Sequence, residues 1–291
     1  SPGARHSMCR MSALAATALA LVLSASPALA LPFGKSADKA PDRAAEKAPA
    51  AAAPAPRKAS AQERAQVARL DPLARAAFWA HEAEVDANDA EAGIKLSQAL
   101  RQMGNYEDAL QAAERALIVA PNDVEALLEV ARSQVGRGQG FYAIDPARRA
   151  EKLAPRDWRI PSLLGVAYEQ ASRYDEALAA HRQALALAPD NPVALGNLGM
   201  FYASRGDTAK AEATLRQAAA RPDAPIAVRQ NLALVVGLAG RIDEAERLAR
   251  QDLPPEMVEN NLAWLRSARA PLAASGGAPS ARSWESLRQT P

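Results

Sequence analysis

The stretch Trp158–Pro189, WRIPSLLGVAYEQASRYDEALAAHRQALALAP, decides the fold of this chain. Leu164, Gly165 and Tyr168 sit on a first helical segment, Ser172-Arg173 interrupts it, and Tyr174-Asp175-Glu176-Ala177 opens a second segment that stops before Pro189. Two short helices joined by a tight turn are what this pattern encodes. The unit recurs. Ala109, Ala143, Ala177, Ala211 and Ala245 follow one another at intervals of 34 residues, and so do Pro121, Pro155 and Pro189. Repetition at that period implies an α-solenoid, in which each helix pair completes its core only against its neighbours.

The small residues have a packing reason. Gly165 and Ala177 are expected to face each other where the helices of one unit cross, because a larger side chain there would force the axes apart. Ala131 with Ala143, Gly199 with Ala211, and Ala233 with Ala245 repeat that pairing. Gly104, Gly138, Gly206 and Gly240 share one turn position, which predicts φ > 0 there. Pro121, Pro155 and Pro189 end the second helices, and Asn122-Asp123 and Asp190-Asn191 restart the chain as N-caps.

The units resemble the tetratricopeptide repeat in their small and large positions, which implies an all-α, right-handed α-solenoid of helix-turn-helix repeats. They are predicted at 90–123, 124–157, 158–191, 192–225 and 226–255. Residues 60–89 read as a worn helix pair that caps the N-terminal side, and 256–269 as a capping helix at the other end. Asn197-Leu198-Gly199, Asn231-Leu232-Ala233 and Asn261-Leu262-Ala263 share a pattern, but the last interval is 30 residues instead of 34. The fifth unit has therefore lost about one turn, where Leu253-Pro254-Pro255 cuts its second helix. In the second unit, Gly136 to Pro146 predicts a Gly-rich loop holding Phe141 and Tyr142, with Asp145-Pro146 opening a delayed helix.

Composition narrows the function classes. Hydrophobic residues make up 49% of the chain but aromatics only 4%, which suits close-packed helices better than a β-sandwich. A formal charge of +2 with interspersed signs demotes nucleic acid as a partner. Arg10, the apolar run Ala13–Leu23 and Ala28-Leu29-Ala30 form a secretory signal, 1–30, with cleavage expected after Ala30; an uncleaved anchor is the alternative. Residues 31–59, rich in Ala and Pro, and 270–291 are expected to be disordered. Cys9 is the sole cysteine and precedes the apolar run, so the mature chain is expected to hold no disulfide and no thiolate metal site. His6, His81 and His181 fall in separate places, and no catalytic spacing accompanies them. Neither catalysis nor a cofactor or metal is expected.

Binding is therefore the expected role, with a protein or peptide segment as partner. In a solenoid of this kind the first helices line a concave groove. Asn197, Gln230 and Asn231 offer amides there, able to bond the backbone of an extended peptide; bonding to a neighbouring helix is the equal alternative. Met200 offers an apolar contact. Lys95, Gln98, Arg101 and Arg132 could take a carboxylate, or simply form a solvated mixed-charge surface. Phe141 and Tyr142 form a candidate aromatic hot spot, against which stands a space-filling role.

GQGFYAID (Gly138–Asp145), VRQNLALVVG (Val228–Gly237), GRIDEAERLARQDLPP (Gly240–Pro255) and Asn260-Asn261-Leu262-Ala263 are similar to the TadD family, the tetratricopeptide protein of Tad/Flp pilus assembly, over about Asp71–Arg266. The resemblance implies a non-enzymatic periplasmic scaffold acting on the secretin or neighbouring pilus-assembly components. That family is often lipidated, whereas this chain lacks the lipobox cysteine, so soluble periplasmic residence or docking through a partner is expected, without a direct membrane anchor. A general periplasmic adaptor or chaperone-like protein for envelope assembly is the alternative.

Overall fold

The computed structural model describes residues 56–275. The expected signal peptide, most of the expected linker and the tail from residue 276 lie outside them. Among the described residues there are thirteen helices and no strand. They are α1 (Ala61–Val67), α2 (Pro72–Val85), α3 (Ala90–Gln102), α4 (Tyr106–Val119), α5 (Val124–Gly136), α6 (Gly140–Leu153), α7 (Arg159–Gln170), α8 (Tyr174–Leu187), α9 (Pro192–Ser204), α10 (Thr208–Ala219), α11 (Ile226–Leu238), α12 (Ile242–Arg250) and α13 (Pro255–Ser275).

Side-chain caps place the starts of several first helices. The Asp89 side chain accepts from Ala92 N–H at 3.1 Å, Asp123 from Ala126 N–H at 2.9 Å, and Asn191 from Val193 N–H at 3.0 Å, each satisfying donors that the helix itself leaves open. Ser60 and Glu63 form a reciprocal capping box on α1. Hydrogen bonds from the Arg57 guanidinium and the Ser60 N–H hold the Glu63 carboxyl down at about 2. At the opposite ends, Gly104, Gly138, Gly206 and Gly240 have positive φ, as their shared register requires. Ser172 occupies the third of the five copies of that position, with φ 60°.

Every helix packs on its chain neighbours, and the first helices also contact one another across units, α3 with α5, α5 with α7, α7 with α9, α9 with α11, and α11 with α13. Second helices make no comparable cross-unit contact among the described residues. The first helices thus form the inner, more tightly spaced layer, and the groove follows them. The core is a run of small clusters, as quasi-one-dimensional stacking demands; the largest joins Leu127, Leu128, Ile160, Leu164 and Phe201 across three units.

Three expectations are corrected. First, α6 is not delayed: it begins at Gly140 with Pro146 inside it, so Phe141 and Tyr142 lie in its first turn. Packing explains the start, because Ala143, Ala147 and Ala150 are fully buried and hold α6 in the register of its neighbours, which begin at Tyr106 and Tyr174. Gly140 permits the approach, since a Cβ there would stand 2.5 Å from the Ala167 carbonyl oxygen.

Second, the nearest neighbour of Gly165 is the His181 ring, one turn beyond Ala177, and a methyl on Gly165 would overlap it. At the equivalent place in the next unit, a methyl on Gly199 would lie 2.7 Å from Leu215 Cγ. Elsewhere the same two positions are both small, Ala131 with Ala147 and Ala233 with Ala249. Glycine therefore accompanies a large partner and alanine a small one, which conserves volume at the crossing.

Third, the boundaries shift. Lys58 and Ala59, expected in the linker, bind the folded part through Lys58 Nζ to Asp89 at 2.8 Å and Ala59 N–H to Glu82 at 3.1 Å. The final helix continues through Ser275, past the expected end at 269. The shortened α12, nine residues against fourteen in α8, agrees with the 30-residue interval.

Candidate partner-binding surfaces

The groove candidates separate once their neighbours are known. Met200 is only 1% exposed and packs in a core cluster with Leu232, Val236 and Leu262. The apolar contact expected from it is closed to a peptide, because adjacent first helices cover the position. Asn197 donates through Nδ2 to Ser162 Oγ at 2.9 Å, tying α9 to α7. Gln230 Nε2 lies 3.4 Å from Asp252, whose carboxylate is held by both arms of Arg229 at 2.7 Å. That guanidinium keeps the Asp252 carboxyl below the usual range. Asn231 is half-buried on the same helix.

Arg101 and Arg132 converge on Glu129, which is fully buried: Arg101 Nε lies 2.9 Å from Oε2 and Arg132 Nη1 2.7 Å from Oε1. Arg159 extends the chain of charges through Glu125 and Asp157, each at 2.6 Å, and its hydrogen bond holds the Asp157 carboxyl down. Three guanidiniums and three carboxylates thus interlock α3, α5 and α7. The two arginines are engaged in structure before any partner arrives. The sequence places Glu129 in the groove beside these cations, but it is buried beneath two arginines from different units, which no local spacing announces.

Lys95 and Gln98 belong to a different setting. They line a cleft of about 580 Å³ between α1, α2 and α3, together with Arg64, Arg75 and Trp79. A smaller cleft of about 280 Å³ opens beside the short α12, walled by Leu234, Ala249, Asn261 and Trp264. Among the described residues no helix is long and apolar enough to cross a membrane, and no cluster of residues could hold a metal ion.

Phe141 and Tyr142 are 67% and 60% exposed, with ring centroids 5.5 Å apart in an edge-to-face pair. The space-filling reading fails on that exposure. The second helices α4, α8 and α12 carry acids at these two places, Glu107-Asp108, Asp175-Glu176 and Asp243-Glu244, where they complement the helix N-terminus, while α10 has Ala209-Lys210. The aromatic pair gives up that stabilisation.

The comparisons agree with this architecture. Family descriptions of the tetratricopeptide repeat match residues 90–133, 142–192 and 168–234. A solved thermophilic tetratricopeptide-repeat protein of Thermus thermophilus is 28% identical, with a TM-score of 0.56, over 60% of this chain and 98% of that one. MamA of Desulfovibrio magneticus RS-1 is 21% identical, with a TM-score of 0.47, over 54% of this chain and 90% of that one. Among curated proteins no match is found. Residues 90–133 and 142–234 thus match the tetratricopeptide repeat, and the fold is an all-α solenoid of such repeats. Such repeats are protein–protein interaction scaffolds, typically without enzymatic activity.

Proposed function

We propose that this scaffold acts in the periplasm in assembly of a Tad/Flp pilus, binding the secretin or a neighbouring component of that machinery. The observation that carries the reading is the exposed Phe141–Tyr142 pair. It lies within GQGFYAID, which with the shortened last repeat is the more distinctive part of the likeness to the TadD family, and it stands where neighbouring units place acids. A large apolar pair retained on a surface, at the expense of favourable helix-end charge, is the signature of a contact site. The groove supplies further area through Asn231, and the cleft beside α1 through Lys95 and Gln98.

Site-specific photocrosslinking from Asp145, exposed one turn beyond Phe141 on α6, in intact cells tests the assignment. Capture of the secretin or another pilus component, abolished with surface pili by Phe141→Ala with Tyr142→Ala, is the expected result. Capture of envelope proteins unconnected with pili would instead favour a general periplasmic adaptor. Recovery of the chain in the cytoplasmic fraction would overturn the location.

A further inference from the structure

The unit that breaks the 34-residue period also leaves an opening. The α8 helix carries its last turn through Leu187, but α12 stops at Arg250 and has no helical counterpart of that turn. Beside this early stop lies the cleft of about 280 Å³, with the buried Leu234, Ala249 and Leu265 among its lining and Trp264, 37% exposed, as one wall. Gln230, Asn260 and Asn261 bring amide groups to it, and none of its lining residues is charged. Charge therefore does not select the occupant. The volume lies just below that of small-molecule pockets, about 300–1,000 Å³, and suits one or two apolar side chains, with amides placed to bond the backbone that carries them.

The chain supplies such side chains close by. After α13 the sequence continues as GGAPSARSWESLRQTP, residues 276–291, in which Trp284 and Leu287 are the only large apolar residues. Three positions apart, they share one side of a helical turn. From Trp264 to the end of α13 at Ser275 the helix runs about 17 Å, whereas the chain from Ser275 to Trp284 spans up to about 30 Å when extended. The return path is thus long enough, and Gly276-Gly277 directly after the helix favours the reversal it needs. The small and polar residues that argue for disorder in this segment serve as the tether. A short tether holds the two side chains at an effective concentration in the millimolar range, so a contact of only about 1 mM affinity keeps the cleft half-filled or better. The same segment of another molecule reaches such a concentration only at millimolar protein.

We infer that Trp284 and Leu287 of the chain's own C-terminal segment dock in this cleft, with Trp264 beside them and Asn260 and Asn261 bonding the segment's backbone. The docked segment closes the end of the first-helix groove, because Asn261-Leu262-Ala263 repeats the pattern of Asn231-Leu232-Ala233 on the next first helix. A partner that reaches this end of the groove has to displace it. The inference does not depend on the pilus reading or on the Phe141–Tyr142 contact.

Amide-resolved NMR on the isotope-labelled full chain tests this. Trp284→Ala with Leu287→Ala, a change outside the repeats, is expected to shift the backbone amides of Leu234, Ala249 and Asn261 and the indole N–H of Trp264, and to leave the amides of Phe141 and Tyr142 in place. Trp264→Ala, a change at an exposed side chain, is expected in turn to shift the amides of residues 283–288 and to lower their order parameters below about 0.6. Both effects should persist on dilution by about tenfold. Cleft amides that stay in place in the tail variant would overturn the inference, as would tail amides indifferent to Trp264→Ala. Shifts that fade on dilution would assign the cleft to the tail of a second copy and would overturn the tethered contact as well.

Discussion

The imidazole Nε2 of His181 lies 3.1 Å from Glu169 Oε2, and both side chains are buried where α7, α8 and α9 meet. Ser204 Oγ of α9 adds a bond to Glu169 at 3.2 Å, so a polar trio joins three helices inside an otherwise apolar core. The His181 ring fits only because residue 165 has no side chain.

Gly165→Ala is therefore expected to destabilise the domain by about 1–3 kcal/mol, the cost of overpacking a filled core. Adding His181→Ala should recover part of the loss, because Ala131 with Ala147 shows that two small residues suit the same crossing. Urea denaturation of the two single variants and the double variant measures the coupling. Strict additivity would contradict the geometry.

Ser172 adopts a left-handed conformation that four glycines adopt elsewhere. Ser172→Gly should stabilise by roughly 0.5–1 kcal/mol, the strain of a side chain at positive φ less the added freedom of the unfolded chain. The reverse experiment is Gly104→Ala, where no atom would lie within 4 Å of the new methyl. A loss of about 1 kcal/mol there isolates backbone strain from packing. Thermal unfolding of both variants reads the two signs.

Replacing Phe141 and Tyr142 by Asp and Glu restores the acidic pair of the neighbouring units. Stability should rise by roughly 0.3–1 kcal/mol through the helix dipole. Partner capture should nevertheless be lost. A variant that is both more stable and still competent to bind would remove the hot spot from the account.

Asp252, held below the ordinary carboxylate range by Arg229, is one of several carboxylates that make stability depend on pH. Its folded-state affinity for a proton is depressed, so its contribution is full above the unfolded carboxylate value of about 4 and disappears as pH falls below it. Arg229→Met should cost stability at pH 6 and progressively less toward pH 2. Urea midpoints at several pH values give the comparison, and a difference that persists at the acid end would rule the pair out as its source.

Much of the architecture was legible because it is written locally. Gly104, Gly138, Gly206 and Gly240 mark turns, Asp123 and Asn191 mark caps, and Leu253-Pro254-Pro255 marks the shortened helix; each effect acts within one turn of its own residue. The binding candidates were less legible. Lys95 and Arg101 lie on the same helix, yet one faces a cleft and the other is locked to Glu129 of the next unit. Met200 carries a groove register but sits in the core, and Asn197 spends its amide on Ser162, 35 residues away. Nothing near these residues in the chain distinguishes the outcomes.

By itself, the sequence determined the period, the helix pairs and their turns, since 34-residue spacing, backbone strain at φ > 0 and capping depend on short-range sterics and hydrogen bonds. Only the tertiary structure decided where α6 begins, which residue fills the space at Gly165, and which groove cations are already paired. Those outcomes depend on atoms supplied by the adjoining helix or unit. Buried alanines overrode Pro146, His181 occupied the space beside Gly165, and Glu129 claimed Arg101 and Arg132.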